Sequence, residues 1–260
     1  MHLWLEACKV FLCFCFVCSG IYCLNDIIDV DADRQHPHKR NRPVASGQVS
    51  VKKAILLMTA CFAVGFILLF IGSTNWICIA VVTSYALIQI AYCTSLKNHS
   101  IVDIICIALG FVARVVAGGV CTGIWVSHWI VMLTFMLTLL LAASKRRYDI
   151  ILHDSNGTPS RKNINQYSVE YLNIIIGIIA SVTIVCYVMY TVSIDVMNRT
   201  GSNYVYVTAL FVIAGIFRYI QKTVLQVDEG SDPTHVLLHD RFIQINLLLW
   251  IICFAIIIYV

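Results

Sequence analysis

Between Asn25 and Gly47 the chain reads NDIIDVDADRQHPHKRNRPVASG, a run of acids followed at once by a run of bases. If the apolar helix that ends at Leu24 continues through the acids, Asp26, Asp29 and Asp33 stand at i, i+3 and i+7 and share one face. Three carboxylates so placed repel one another unless a cation joins them. Hard oxygens on one face suit Mg²⁺, above all when substrate phosphates complete its octahedron. Beyond the acids come Arg34, Lys39, Arg40 and Arg42, with His36 and His38 among them. A guanidinium offers phosphate a fork and an ammonium a point charge. The plain alternative is a solvated loop between two membrane helices, and it gives no reason for the acid spacing.

The elements that must carry these residues follow from composition. Of 260 residues, 60% are hydrophobic and 12% charged, with a mean hydropathy of +0.84. A soluble chain carries about twice that charge. Several apolar stretches approach the roughly 20 residues that cross a bilayer. The expected fold is all-α, a polytopic transmembrane helical bundle of about eight helices forming a single domain over 1–260. The helices are expected at about 6–28, 51–72, 76–94, 101–122, 128–149, 168–194, 204–224 and 240–260. Basic residues collect in alternate connections, which the positive-inside rule places in the cytoplasm. Both ends of the sequence then lie on the other side. The 12 cysteines show no metal spacing and read as small hydrophobes, with neither disulfide nor zinc site expected. No signal peptide is expected, because the apolar start lacks a basic leader and runs into the acids without a cleavage site.

Asn25-Asp26-x-x-Asp29-x-x-x-Asp33 resembles the first aspartate motif of the UbiA superfamily of intramembrane prenyltransferases. The longer form, with Arg34, His36-Pro37, Lys39-Arg40, Arg42-Pro43 and Gly47, is similar to its decaprenyl-phosphate phosphoribosyltransferase branch. Lys145, Arg146 and Asp149 resemble that branch's Lys-Arg-x-x-acid segment, where prenyl-diphosphate enzymes carry a second aspartate pair. Asp149 and Asp154 do not make such a pair. Arg161-Lys162 and the Tyr167 to Asn173 stretch resemble the same branch, as do Asp103, Arg114 and Gly118-Gly119. Family members usually have one more helix before the motif helix, so the resemblance implies that the family's first helix is missing here.

The resemblance implies a Mg²⁺-dependent transfer of 5-phosphoribose from phosphoribosyl pyrophosphate to a polyprenyl phosphate. The implied setting is the inner, cytoplasmic membrane, multi-pass, with the active site facing the cytoplasm. Asp26, Asp29 and Asp33 would hold the metal, and with Lys145 and Arg146 they form the expected catalytic set. Asn25, Arg34, Lys39, Arg40, Arg42, Arg114, Asp149, Arg161 and Lys162 would bind substrate. The runner-up is transfer of a prenyl group from its diphosphate to an aromatic or other acceptor. A transporter of phosphorylated solutes and an inactive homologue are the readings outside these. A nucleic-acid partner is not expected, and no oligomeric state is implied.

Arg114 stands about three turns from Asp103 on one helical face, and an arginine inside an apolar helix faces a bundle interior or a wet cavity. Tyr85, Gln89 and Tyr92 form a polar stripe that either bonds between helices or lines the cavity. Glu170 and Asn173 could join the phosphate side. Arg218 reads as snorkelling, and the Asp228 to Pro233 turn as a lid.

Overall fold

The computed structural model describes residues 2–35, 39–71, 75–156, 166–225 and 232–259. Arg161, Lys162, His36 and His38 lie outside that set, as does most of the expected lid. Eight of the described helices are long and apolar enough to cross a membrane. Their positions match the expected spans to within a few residues at most ends. The largest difference is the fifth span, whose helix runs on through Asn156. The protein is a multi-pass membrane protein, and its described regular structure is helical throughout.

Two compact units divide the chain. Unit 1 takes Met1–Ser127 with His153–Gln166, and unit 2 takes His128–Leu152 with Tyr167–Val260. In unit 1, α1 (His2–Ile28) packs along α3 (Val51–Phe70), while α4 (Trp76–Thr94) and α5 (Val102–Thr122) form a hairpin against α1. Val10, Cys13, Phe14, Val17 and Ile21 of α1 meet Leu69 of α3 and Val82, Tyr85 and Ala86 of α4 in one core. The α1–α3 approach depends on Gly65, where a Cβ would stand 2.8 Å from the Val17 side chain. Short side chains let helix backbones come this close in a membrane.

One expectation fails in this unit. Cys78 and Cys121 form a disulfide, with Cα atoms 5.7 Å apart. Antiparallel pairing brings the start of α4 beside the end of α5, so residues 43 apart in sequence become neighbours. Spacing along the chain carries no sign of such a pair. Ten other described cysteines are free thiols.

Unit 2 contains α6 (His128–Asn156, through Leu152), α7 (Val169–Thr191), α8 (Ile194–Thr200), α9 (Ala209–Ile220), α10 (Pro233–His239) and α11 (Arg241–Tyr259). Ser168 caps α7 by accepting from the Tyr171 N–H. A buried bond joins the Tyr187 and Thr208 hydroxyls at 2.9 Å, and the Trp250 indole donates to Tyr187 at 2.7 Å. Such bonds replace the hydrophobic effect as a source of helix pairing where lipid is the solvent. A π-helical turn, Gln221–Leu225, prolongs α9. Arg218 does not snorkel freely, because its guanidinium forks onto Asp240 at 2.9 Å.

Candidate functional site

The acids of unit 1 sit where α1 ends and α2 (Val30–Gln35) begins. Asp29 interrupts the helix, yet its N–H still reaches the Asn25 carbonyl at 2.9 Å, and the Asp33 N–H reaches Asp29 at 2.8 Å. The i to i+4 rhythm therefore survives the break and keeps the three carboxylates to one side. After α2 the chain turns back through a 3₁₀ turn, Lys39–Asn41, anchored by the buried Val44 and Ala45. Gly47 closes this excursion with φ +82, a conformation that favours glycine.

The return delivers Arg42 to the acids. One guanidinium nitrogen bonds Asp26 at 3.1 Å and Asp33 at 2.9 Å. Asp33 is buried, whereas the side chains of Asp26 and Arg42 keep about a quarter and a third of their exposure. The third acid has another partner. Lys97 reaches Asp29 at 2.5 Å and the Asn25 side-chain carbonyl at 3.4 Å. Lys97 was not among the expected site residues; it belongs to the cluster because α4 packs on α1 and the short turn Leu96–Asn98 at its end carries the lysine to Asp29. That loop ends in a γ-turn at Ile101 (φ 68), closed by the Val102 N–H on the Ser100 carbonyl at 2.7 Å. A β-branched residue at positive φ is strained, and such strain persists where the surroundings fix it.

The remaining bases of the motif are peripheral. Arg34 is exposed and bonds Asp31 at 3.2 Å and the Ala45 carbonyl at 3.4 Å. Arg40 is exposed and Lys39 half-buried. Arg114 lies further along the bundle, donating to the Tyr85 hydroxyl at 2.8 Å and standing over the Tyr85 and Phe111 rings. Its partners are neutral groups. Asp103 is fully buried.

Unit 2 carries the second cluster on one stretch of α6. Lys145 bonds Asp232 at 2.6 Å and lies 5.1 Å from the Tyr148 ring. Arg146 is buried and pairs with Asp149 at 3.1 Å. Arg147, also buried, donates to Asn173 at 2.6 Å. Asp232 caps α10 by accepting the Thr234 N–H at 3.0 Å. Burial alone would raise its carboxyl; the Lys145 and Thr234 hydrogen bonds outweigh this and hold it below the usual carboxylate range. Asp240 is likewise lowered, first by the Arg218 hydrogen bond. Sequence reasoning missed Asp232 as a member of this cluster. A base triplet with an acid at its end was visible, but partners from a distant turn were not.

Among the described residues, no group of three or more His, Cys, Asp or Glu is gathered closely enough to hold a metal unaided. The donor set still fits Mg²⁺. That ion is bound through one or two carboxylates with substrate phosphates supplying further oxygens, rather than by an all-protein cage. Asp26 and Asp29 offer such oxygens half-exposed, each already drawn to a cation of the chain itself.

The description of the UbiA prenyltransferase family matches residues 2–244. The chain is 30% identical over 250 residues to the decaprenyl-phosphate phosphoribosyltransferase of Corynebacterium glutamicum, covering 96% of this chain and 75% of that one. To the enzyme of the same name from Mycolicibacterium smegmatis it is 33% identical, covering 93% and 76%. In three dimensions it superposes on a UbiA homolog from Archaeoglobus fulgidus, bound to GPP and Mg²⁺, with a TM-score of 0.69 at 20% identity. That match covers 98% of this chain and 88% of the other.

Proposed function

The chain belongs to the UbiA prenyltransferase family, and from that premise we propose that it moves 5-phosphoribose from phosphoribosyl pyrophosphate to a polyprenyl phosphate. The observation that carries this reading is the second cluster. By the family resemblance, Lys145 and Arg146 take the place of the second aspartate pair of prenyl-diphosphate enzymes, and Asp149 pairs with Arg146 rather than with another acid. A phosphoribosyl donor has a 5-phosphate besides its diphosphate, and the extra anion calls for cations. A prenyl donor has an apolar tail there and calls for none. The names of the two bacterial relatives support the same choice.

The chemistry asks little of proton transfer. The C1–oxygen bond to diphosphate breaks, and a lipid phosphate oxygen bonds C1, leaving a phosphodiester and free diphosphate. The acceptor phosphate is already ionised at neutral pH, so no strong general base is required. Asp26 and Asp29, with Asp33, would hold Mg²⁺, which supplies neutralisation of the charge on the departing diphosphate. Arg42 and Lys97, which contact these acids, would grip phosphate oxygens, and the peripheral Arg34, Lys39 and Arg40 would meet phosphate further out. Arg114 serves the acceptor within the bundle. Positioning and fixed charge then account for most of the rate. The loops bearing these residues face the cytoplasm, where the soluble donor is found, and the host membrane is the inner one.

The test is direct. Purified protein is incubated with radiolabelled phosphoribosyl pyrophosphate, Mg²⁺ and polyprenyl phosphates, and label is counted in the organic phase. Label there is the expected result. If label stays in water while a prenyl diphosphate alkylates an aromatic acceptor, the function is prenyl transfer instead.

A further inference from the structure

Arg147 is the third of three consecutive bases, and its surroundings differ from those of the first two. Lys145 and Arg146 each face a carboxylate, Asp232 and Asp149. The buried Arg147 guanidinium instead spends its fork on three neutral oxygens. Its Nε donates to the Asn173 side chain at 2.6 Å, Nη1 to the Thr223 carbonyl at 2.9 Å and Nη2 to the Val224 carbonyl at 3.0 Å. A buried cation without an acid is costly unless hydrogen bonds and local dipoles offset it. Both carbonyls belong to the π-helical turn Gln221–Leu225 at the end of α9. Terminal helix carbonyls lack intrahelical partners and carry partial negative charge, so they supply that offset. Only a planar fork reaches all three oxygens together, which an ammonium does not do.

The placement has a consequence for Lys145. One turn of α6 holds the chain at Val224 through Arg147 and again at Asp232 through Lys145. The π-helical turn packs against α10, the helix that Asp232 caps, so what holds the turn also holds that cap. Asp232 is itself fixed as the cap of α10, so it presents its second oxygen to Lys145 in one direction.

We propose that Arg147 is a positioning residue: by capping the π-helical end of α9 it fixes Asp232, and Asp232 aims the Lys145 ammonium at the phosphate it binds. The kinetic part of this rests on the proposed function; the geometric part does not. Arg147→Lys keeps the charge and loses the fork, and two readouts on the full-length protein in nanodiscs separate the roles. The first is acetylation of Lys145 by a water-soluble N-hydroxysuccinimide ester, followed by peptide mass spectrometry. Freed from Asp232, Lys145 labels roughly tenfold faster, as for loss of one charge-assisted bond, while the exposed Lys52 and Lys53 keep the parent rate. The second is steady-state kinetics, in which KM for phosphoribosyl pyrophosphate rises about tenfold and kcat stays within about twofold. Unchanged Lys145 labelling overturns the proposal whatever the kinetics. Faster labelling with KM unchanged in an active enzyme overturns the link to phosphate binding. Faster labelling in a protein whose parent transfers no phosphoribose upholds the positioning and overturns the proposed function instead. Should the parent's fold be lost in this variant, shown by a rise at Lys52 and Lys53 too, Asn173→Ala takes its place. That change removes one of the three bonds, and the same outcomes decide.

Discussion

The two charged clusters are built in opposite ways. In unit 1 the acids come from one short stretch and their cations arrive from elsewhere, Arg42 by a local return and Lys97 from across 68 residues. In unit 2 the cations come from one stretch, and Asp232 and Asn173 arrive from elsewhere. Exposure differs as well. In the first cluster Asp26, Asp29 and Arg42 keep contact with solvent beside a buried Asp33 and Lys97, whereas in the second both guanidiniums, Arg146 and Arg147, are buried and the Lys145–Asp232 pair stays open. Charges near solvent exchange partners cheaply, because water screens both the lost and the gained interaction. Buried ones do not. Under the proposed function the open acids of the first cluster are suited to trade their internal cations for an incoming metal and diphosphate, and the buried arginines of the second to hold a fixed shape around Lys145.

The largest effect should come from the exchanging side. Asp29→Asn is expected to fold, judged by gel filtration and melting temperature, and to lose roughly a hundredfold or more in kcat. Normal turnover would remove the acid face from the mechanism. EDTA should abolish parental activity, with Mg²⁺ restoring it better than Ca²⁺, whose longer and looser coordination suits a diphosphate clamp less well. Equal rescue by both ions would blur the distinction drawn between the clusters.

The second cluster should give a smaller and more selective loss. Lys145→Ala is expected to weaken donor binding by about 1.5–3 kcal/mol, the range for bonds to a charged group, or roughly ten- to a hundredfold. Prenyl diphosphates that lack the second phosphate should bind as before. Isothermal titration with both ligands checks this, and equal losses for the two would sink the 5-phosphate assignment.

The smallest effect concerns pH. The Asp232 carboxyl is lowered in the folded protein, so its contribution to stability is complete above the unfolded value of about 4 and is lost as pH falls through the folded value. Thermal melts from neutral pH down to about 3 should show this loss at the acid end of the range, and Asp232→Asn should flatten it. Because the pair keeps over a third of its exposure, the change is modest.

The spans were legible because crossing a bilayer demands a long apolar run, and hydropathy measures that demand directly. The acid face was legible because helical spacing is a local property. The cations that meet it were legible only in part. Arg42 lies within the motif, but Lys97 reaches Asp29 through a helical hairpin and a strained turn at Ile101, and neither leaves a mark in composition. The disulfide escaped for the same reason. In apolar helices a cysteine that pairs and one that only fills space look alike until the hairpin sets Cys78 beside Cys121. The short helices α8 and α10 fall in stretches expected to be connections, since a few residues carry too little periodicity to declare a helix.

The last helix, α11, has one buried residue, Ile243, and exposes a long series of leucines and isoleucines. Its ties to the rest of unit 2 include the Asn246 amide on the Phe211 carbonyl at 2.8 Å and the Trp250 indole on Tyr187. Lipid tails solvate such a surface as well as another helix would, so within the membrane α11 is held by its packing on α9 and these few bonds rather than by a hydrophobic drive inward. Extraction changes the solvent. A short-chain detergent that covers the leucine face poorly alters what this helix rests against, long before it reaches the core around α1. Purification chemistry, more than any point mutation, then decides whether α11 stays in place.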